Sequence, residues 1–290
     1  MRRTRVVTAV LTGAMLLPLG TAEAGGAHAA AATADTAAAT APVSAAAATK
    51  KGISAWKFDG VTKAMANAKV GWFYTWSSGR GGIKAPAGVE FVPMIWGPQS
   101  VNRTELRRAK AQGKVLLGFN EPDFAQQSNM TVEQALDLWP RLQATGMRLG
   151  APAVASGADV PGGWLDRFMK GAAARHYRVD FIPLHWYGAD FDSTRATRQL
   201  RAYLKATYKR YKKPIWLTEY ALTDFSGGVA RYPTKARQAA FVKKSTAMLN
   251  RQSYVRRYAW FTLSTSRGDG TGLYHGAKAN KVGAAYRAAR

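Results

Sequence analysis

The sequence predicts an α/β protein, a (β/α)8 TIM barrel, and three observations carry that expectation. Strand-like and helix-like stretches alternate eight times. The strand-like stretches are largely continuous apolar runs, as in strands buried on both faces. The folded part is roughly 240 residues long, the size of one such barrel. The strands are expected at 52–58, 70–76, 91–96, 115–120, 149–154, 181–187, 214–220 and 258–263, and helical periodicity falls at 104–112, 131–145, 164–175, 193–211, 234–252 and 277–289. The second helix opens with Thr131 as an N-cap and Gln134 at the capping-box position. Segment 77–88 is Gly-rich and polar, and reads as a long loop where a second-unit helix would stand. No repeat of fixed sequence accompanies the alternation.

The N-terminus predicts export. Arg2, Arg3 and Arg5 precede an apolar run at 6–19, and Ala22-Glu23-Ala24 offers a small-x-small cleavage site. That run is shorter than the ~20 residues of a comfortable membrane span. The expected organisation is a secretory signal at 1–24, an Ala/Thr-rich disordered leader at 25–49 and one folded domain at 50–290. The protein is then secreted and extracellular, with no membrane attachment after cleavage. Residues 25–49 hold no aromatic side chain, too little apolar surface to offset the entropy of ordering.

Composition excludes several kinds of chemistry. With no cysteine there are no disulfides, no thiolate nucleophile and no Cys-based metal site. His28, His176, His185 and His275 show no close metal-ligand spacing, and no phosphate-binding glycine loop occurs, so neither metal nor cofactor is expected. The formal charge is +25, or +23 without the three arginines and one glutamate of 1–24. Its cations run along helices, as in Arg201, Lys205, Lys209 and Arg210, without a nucleic-acid-binding motif. We read them as a solvated outer face, with adhesion to an acidic wall or matrix as a secondary use.

Glutamate is scarce, at six residues, yet Glu121 and Glu219 each end an apolar strand-like run. A carboxylate there is poorly solvated. Either each caps a helix or pairs with an arginine, or the two face each other. A facing pair is the working apparatus of glycoside hydrolysis: one protonates the leaving oxygen while the other attacks or activates water. Counted along the barrel they close strands four and seven, both at the C-terminal mouth.

The neighbouring residues suit a sugar. Asn120 is placed to bond a hydroxyl beside the reacting carbon, or else to make an Asx turn. His185 and Tyr187 alternate onto one side of strand six, where they orient Glu219 or the sugar, unless His185 is a satisfied core residue. Among nine tryptophans, Trp76, Trp96, Trp186 and Trp260 are the candidates for stacking on pyranose faces, whereas Trp72, Trp216, Trp139 and Trp164 read as packing residues.

The strings Val70-Gly71-Trp72-Phe73-Tyr74-Thr75-Trp76, Phe91 to Trp96, Gly118-Phe119-Asn120-Glu121-Pro122-Asp123, His185-Trp186-Tyr187-Gly188 and Trp216-Leu217-Thr218-Glu219-Tyr220 occur in this order across nearly the whole folded part. Together they resemble glycoside hydrolase family 128. Thr75 stands where an Asn is common in that family. The resemblance implies a retaining endo-β-1,3-glucanase without a metal, with Glu121 as acid/base and Glu219 as nucleophile. The partner it implies is a β-glucan polysaccharide or oligosaccharide; the chain is further expected to bind no nucleic acid and to be a monomer. Two alternatives remain at this stage: a retaining hydrolase of another β-glycan, and a non-catalytic cell-wall glycan-binding protein.

Overall fold

Short, largely apolar runs recur around the chain, and eight of them become parallel strands. The computed structural model describes residues 50–266 and 270–289. The expected signal and leader, 1–49, lie outside the described residues. The strands are β1 (Lys51–Ser54), β2 (Trp72–Tyr74), β3 (Glu90–Phe91), β4 (Val115–Leu116), β5 (Arg148–Leu149), β6 (Ile182–Gly188), β7 (Ile215–Leu222) and β8 (Val255–Trp260). Six form one parallel sheet in the order β3-β2-β1-β8-β7-β6, and β4 pairs with β5. Parallel bridges Met94 to Leu117 and Gly150 to Phe181 join the two groups at both ends, so the eight strands close into a barrel. A hairpin of β9 (Tyr274–His275) and β10 (Lys278–Ala279) follows.

The helices are α1 (Val61–Ala68), α2 (Arg103–Gln112), α3 (Val132–Gln143), α4 (Trp164–Ala174), α5 (Ser193–Tyr211), α6 (Lys235–Arg251) and α7 (Lys281–Ala288). Thr131 and Gln134 make the expected reciprocal capping box on α3. Segment 77–88 forms turns and contains no helix. Helix α1 is not among the expected helices. Its N-cap is Gly60, which has no side chain to announce it. Yet Val61, Ala64, Met65 and Ala68 recur at i, i+3, i+4 and i+7, and these are its buried residues.

Two apolar clusters result. The larger lies between strands and helices, and the smaller fills the barrel with Trp72, Tyr74, Val92, Met94, Leu117, Phe181, Trp216 and Ala259. Trp72 and Trp216 are therefore packing residues, as expected. The Trp72 ring fits because its neighbour on the adjacent strand is glycine: a Cβ on Gly52 would lie 2.2 Å from the indole. At the end of the barrel where the strands begin, the Arg257 guanidinium lies 4.3 Å from the Trp216 ring centroid. It also pairs with Glu90 at 2.5 Å.

Candidate active site

Glu219 reaches the interior of the barrel through an irregularity in β7. Ile215 and Leu217 belong to the cluster on the helix side, and Trp216 to the cluster inside the barrel. Strict alternation would therefore turn Glu219 outward. The register instead skips a residue: Leu184 pairs with Leu217 and His185 with Glu219, and on the other side Leu217 pairs with Tyr258 and Tyr220 with Trp260. Thr218 is the extra residue. Its hydroxyl donates to the Leu184 carbonyl at 3.2 Å, which holds the bulge against β6. A bulge that re-aims one side chain inward is what this carboxylate needs.

Three donors then fix Glu219. Trp76 Nε1 donates to Oε1 at 2.7 Å, the Tyr74 hydroxyl to the same oxygen at 3.1 Å, and the Tyr187 hydroxyl to Oε2 at 2.5 Å. Burial, followed by the charge of Glu219, pushes both tyrosines well above the ordinary phenol pKa, so they remain neutral donors. Trp76 holds its place with φ at 55°, a left-handed conformation that a bulky residue adopts only when its surroundings impose it.

Glu121 stands beyond the end of β4 with φ at 43°, its N–H donating to the Ala153 carbonyl at 2.7 Å. Its Oε1 lies 2.7 Å from Nδ1 of His185, a fully buried imidazole whose Nε2 is 3.6 Å from Glu219 Oε1. One donor atom from each of Glu121, His185 and Glu219 lies within 4.8 Å of the others. Burial raises the Glu121 pKa and Glu219 adds to it, while the hydrogen bond and charge of His185 act in the opposite direction. Burial opposes a charged His185, but the Glu219 and Glu121 carboxylates outweigh it, and its pKa is raised. These three side chains are also a donor set of metal-ligand type, but Glu219 Oε1 already accepts two hydrogen bonds and His185 Nδ1 is engaged with Glu121. The arrangement is that of one carboxyl poised to hold a proton beside a second fixed as a nucleophile.

Asn120 is buried beside Glu121. Its Nδ2 donates to Gln127 at 3.2 Å, and its Oδ1 has no protein partner. Trp76 and Trp96 pack on the rim of the interior cluster, and Tyr187 faces the carboxylates. Trp186 and Trp260 do not. On β6, His185 and Tyr187 point inward and the residue between them points outward, so Trp186 stacks on Phe241 of α6 at 5.8 Å. Trp260 is fully buried on the helix side against Tyr220, Phe241 and Tyr286. Both expectations for the cleft are corrected by the same two-residue period. The next residue, Phe261, takes the inward place, 5.8 Å from Trp76 and 5.7 Å from Tyr187. Trp56 stacks beside Trp76 at 6.1 Å, and Phe225 meets Tyr187 edge-on at 5.5 Å. None of these three rings was anticipated. For Trp56 and Phe261 the alternation along β1 and β8 was an available signal, whereas Phe225 sits on a loop that offers none.

Residues 46–286 match the family model described as "Glycosyl hydrolase catalytic core". A crystal structure of a subgroup I family 128 endo-β-1,3-glucanase from Amycolatopsis mediterranei, in complex with laminaritriose, is 67% identical. The match covers 83% of this chain and 99% of that one, with a TM-score of 0.82. The chain belongs to glycoside hydrolase family 128. A more distant family 128 structure is a subgroup III curdlan-specific exo-β-1,3-glucanase from Blastomyces gilchristii, in complex with glucose. It is 29% identical with a TM-score of 0.66, covering 82% of this chain and 97% of that one. Alkali-sensitive linkage protein 1 of Schizosaccharomyces pombe (strain 972 / ATCC 24843) is 28% identical over 220 residues. That is 73% of this family 128 chain, which spans only 38% of the yeast protein's length. Among the described residues no helix is long and apolar enough to cross a membrane.

Proposed function

We propose that this family 128 protein is a retaining endo-β-1,3-glucanase, with Glu121 as acid/base and Glu219 as nucleophile. The observation that carries the reading is the close approach of the two carboxyls, within 4.8 Å at their donor atoms. Retaining enzymes hold their carboxyls at roughly 5–5.5 Å, whereas inverting ones leave roughly 6.5–9.5 Å for a water between them. In the first step Glu121 gives its proton to the glycosidic oxygen while Glu219 attacks the anomeric carbon. The departing sugar leaves with that proton and an ester forms on Glu219. In the second step Glu121 takes a proton from water, the hydroxide attacks the same carbon and the Glu219 carboxylate is released.

The surrounding residues divide the work. Tyr74, Trp76 and Tyr187 orient the nucleophile, and His185 shares a proton with Glu121 between turnovers. Asn120 presents its unpartnered buried oxygen to a sugar hydroxyl, and Trp56, Trp76, Trp96 and Phe261 offer faces to pyranose rings. The endo-acting relative of 67% identity, crystallised with laminaritriose, supports the linkage and the mode of attack over the exo-acting one. The reading takes the protein as a secreted monomer that acts on a neutral glucan without a cofactor. Hydrolysis of soluble β-1,3-, β-1,4- and mixed-linkage glucans, followed by early-time NMR of the released anomer, tests it. Release of the β-anomer from the β-1,3 polymer alone is expected, and an α-anomer product would reject retention.

A further inference from the structure

The acidic residues are distributed very unevenly. None occurs between Asp192 and Glu219, and beyond Asp224 the sequence holds only Asp269. Helices α5, α6 and α7 therefore carry cations and no carboxylate. They are also neighbours, α5 lying against α6 and α6 against α7, so the bias of sequence becomes a bias of surface.

On α5, Arg198, Arg201, Lys205 and Lys209 are all exposed and fall at i, i+3, i+7 and i+11, which places them in one stripe along the helix. Arg201 with Lys205 and Lys205 with Lys209 are like-charge pairs four residues apart, which destabilise a helix, and no acid on α5 offsets them. The acids flanking the stripe are already engaged: Asp190 holds Arg195 and Asp166 holds Arg210. Exposed Lys244 extends the patch onto α6, where it reaches across to the Thr194 hydroxyl of α5 at 2.5 Å. The basic stretch of α2 differs, because Glu105 lies within it and pairs with Arg108.

We propose that the outer face of α5 and α6 is a docking surface for an acidic polysaccharide, separate from the catalytic cleft. Cations on flexible stems, spaced over two helices, suit a polymer whose charges repeat along a flexible chain. A single-stranded nucleic acid would also engage aromatic rings through its bases, and duplex DNA is left to the test below. Here Tyr208 is stacked on Tyr254 and Phe241 is fully buried, so neither ring is free to take a base. The neutral glucan of the cleft makes no demand on this charge, so the two surfaces act independently.

Full-length protein is passed over polygalacturonate beads and over neutral curdlan beads at rising salt, with a duplex DNA oligonucleotide as a competitor matched in charge. The quadruple variant Arg198→Gln, Arg201→Gln, Lys205→Gln, Lys209→Gln is compared with an equal neutralisation on α2, Arg103→Gln, Arg107→Gln, Arg108→Gln, Lys110→Gln. The α5 variant is expected to weaken polygalacturonate binding on the order of tenfold at low salt, where charges interact over about 30 Å. The α2 variant should weaken it little, and both should turn over soluble β-1,3-glucan at the parental rate. Arg198→Lys, Arg201→Lys, which keeps the charge, should bind as the parent does and shows that charge, not packing, is read. Equal loss in the α5 and α2 variants, or DNA displacing the protein more effectively than soluble polygalacturonate, would overturn the proposal.

Discussion

His185 Nδ1 lies 2.7 Å from Glu121 Oε1, and this contact sets the proton balance of the site. Among the influences on Glu121, burial and Glu219 raise its pKa while His185 lowers it. Removing the imidazole leaves only the raising influences, so His185→Ala should move the alkaline limb of kcat/KM to higher pH, besides lowering kcat. The pH–rate profile decides, and a limb displaced to lower pH would contradict the assigned pairing.

The raised Glu121 pKa has a sign for stability as well. A carboxyl whose folded-state pKa exceeds its unfolded value contributes stability that is complete below the unfolded pKa and is lost as pH rises through the folded one. Glu121→Gln cannot ionise. Its melting temperature relative to the parent should therefore climb between pH 4 and pH 8, and a falling difference would refute a raised pKa.

The two glutamates should separate by leaving group. Glu121→Gln should lose roughly 10²–10⁴-fold on glucan, the range of general acid catalysis, and recover much of it on an aryl glycoside whose leaving group needs no proton. Glu219→Gln should lose both activities, since no group remains to form the ester. Steady-state rates on the two substrates distinguish the roles, and the opposite pattern would exchange them.

The bulge predicts a different kind of defect. Thr218→Val removes the buried hydroxyl that donates to the Leu184 carbonyl. The loss should cost about 1 kcal/mol, or about 2–4 °C in Tm for a domain of this size. It should also lower kcat more than it changes KM, because the carboxylate is less well aimed. Thr218→Ser should restore both, and calorimetry with kinetics on the pair provides the check.

Aromatic substitutions should divide by the side of the strand. Trp260→Ala empties a buried site on the helix side and should cost roughly 3–5 kcal/mol of stability. Its effect on turnover should appear only through the folded fraction. Phe261→Ala and Trp56→Ala should remain folded and lose roughly 1–3 kcal/mol of transition-state binding, borrowing the scale of ring stacking on flat ligands. Denaturant melts and kcat/KM measured on the same preparations test this division.

Much of the barrel was legible because a strand buried on both faces must be apolar throughout. That one demand located all eight strands and, with them, Glu121 and Glu219 as polar residues where apolar ones belong. The same demand hides which way a residue points, since both faces are apolar. Trp186 and Trp260 were misplaced for this reason, although His185 and Tyr187 on either side of Trp186 implied the answer. The bulge at Thr218 left no local signature: threonine is an ordinary strand residue, and the rephasing emerges only from pairing with β6 and β8. Helix α1 went unseen because Gly60 caps it without a side-chain hydrogen bond.

The hydrogen bond from Trp76 to Glu219 offers an optical report on the proposed nucleophile. Trp76 Nε1 lies 2.7 Å from Glu219 Oε1, on the carboxyl that becomes an ester in the proposed mechanism. Indole emission responds to the field along that bond, so the colour of Trp76 fluorescence should shift when the Glu219 carboxyl is esterified in the proposed mechanism.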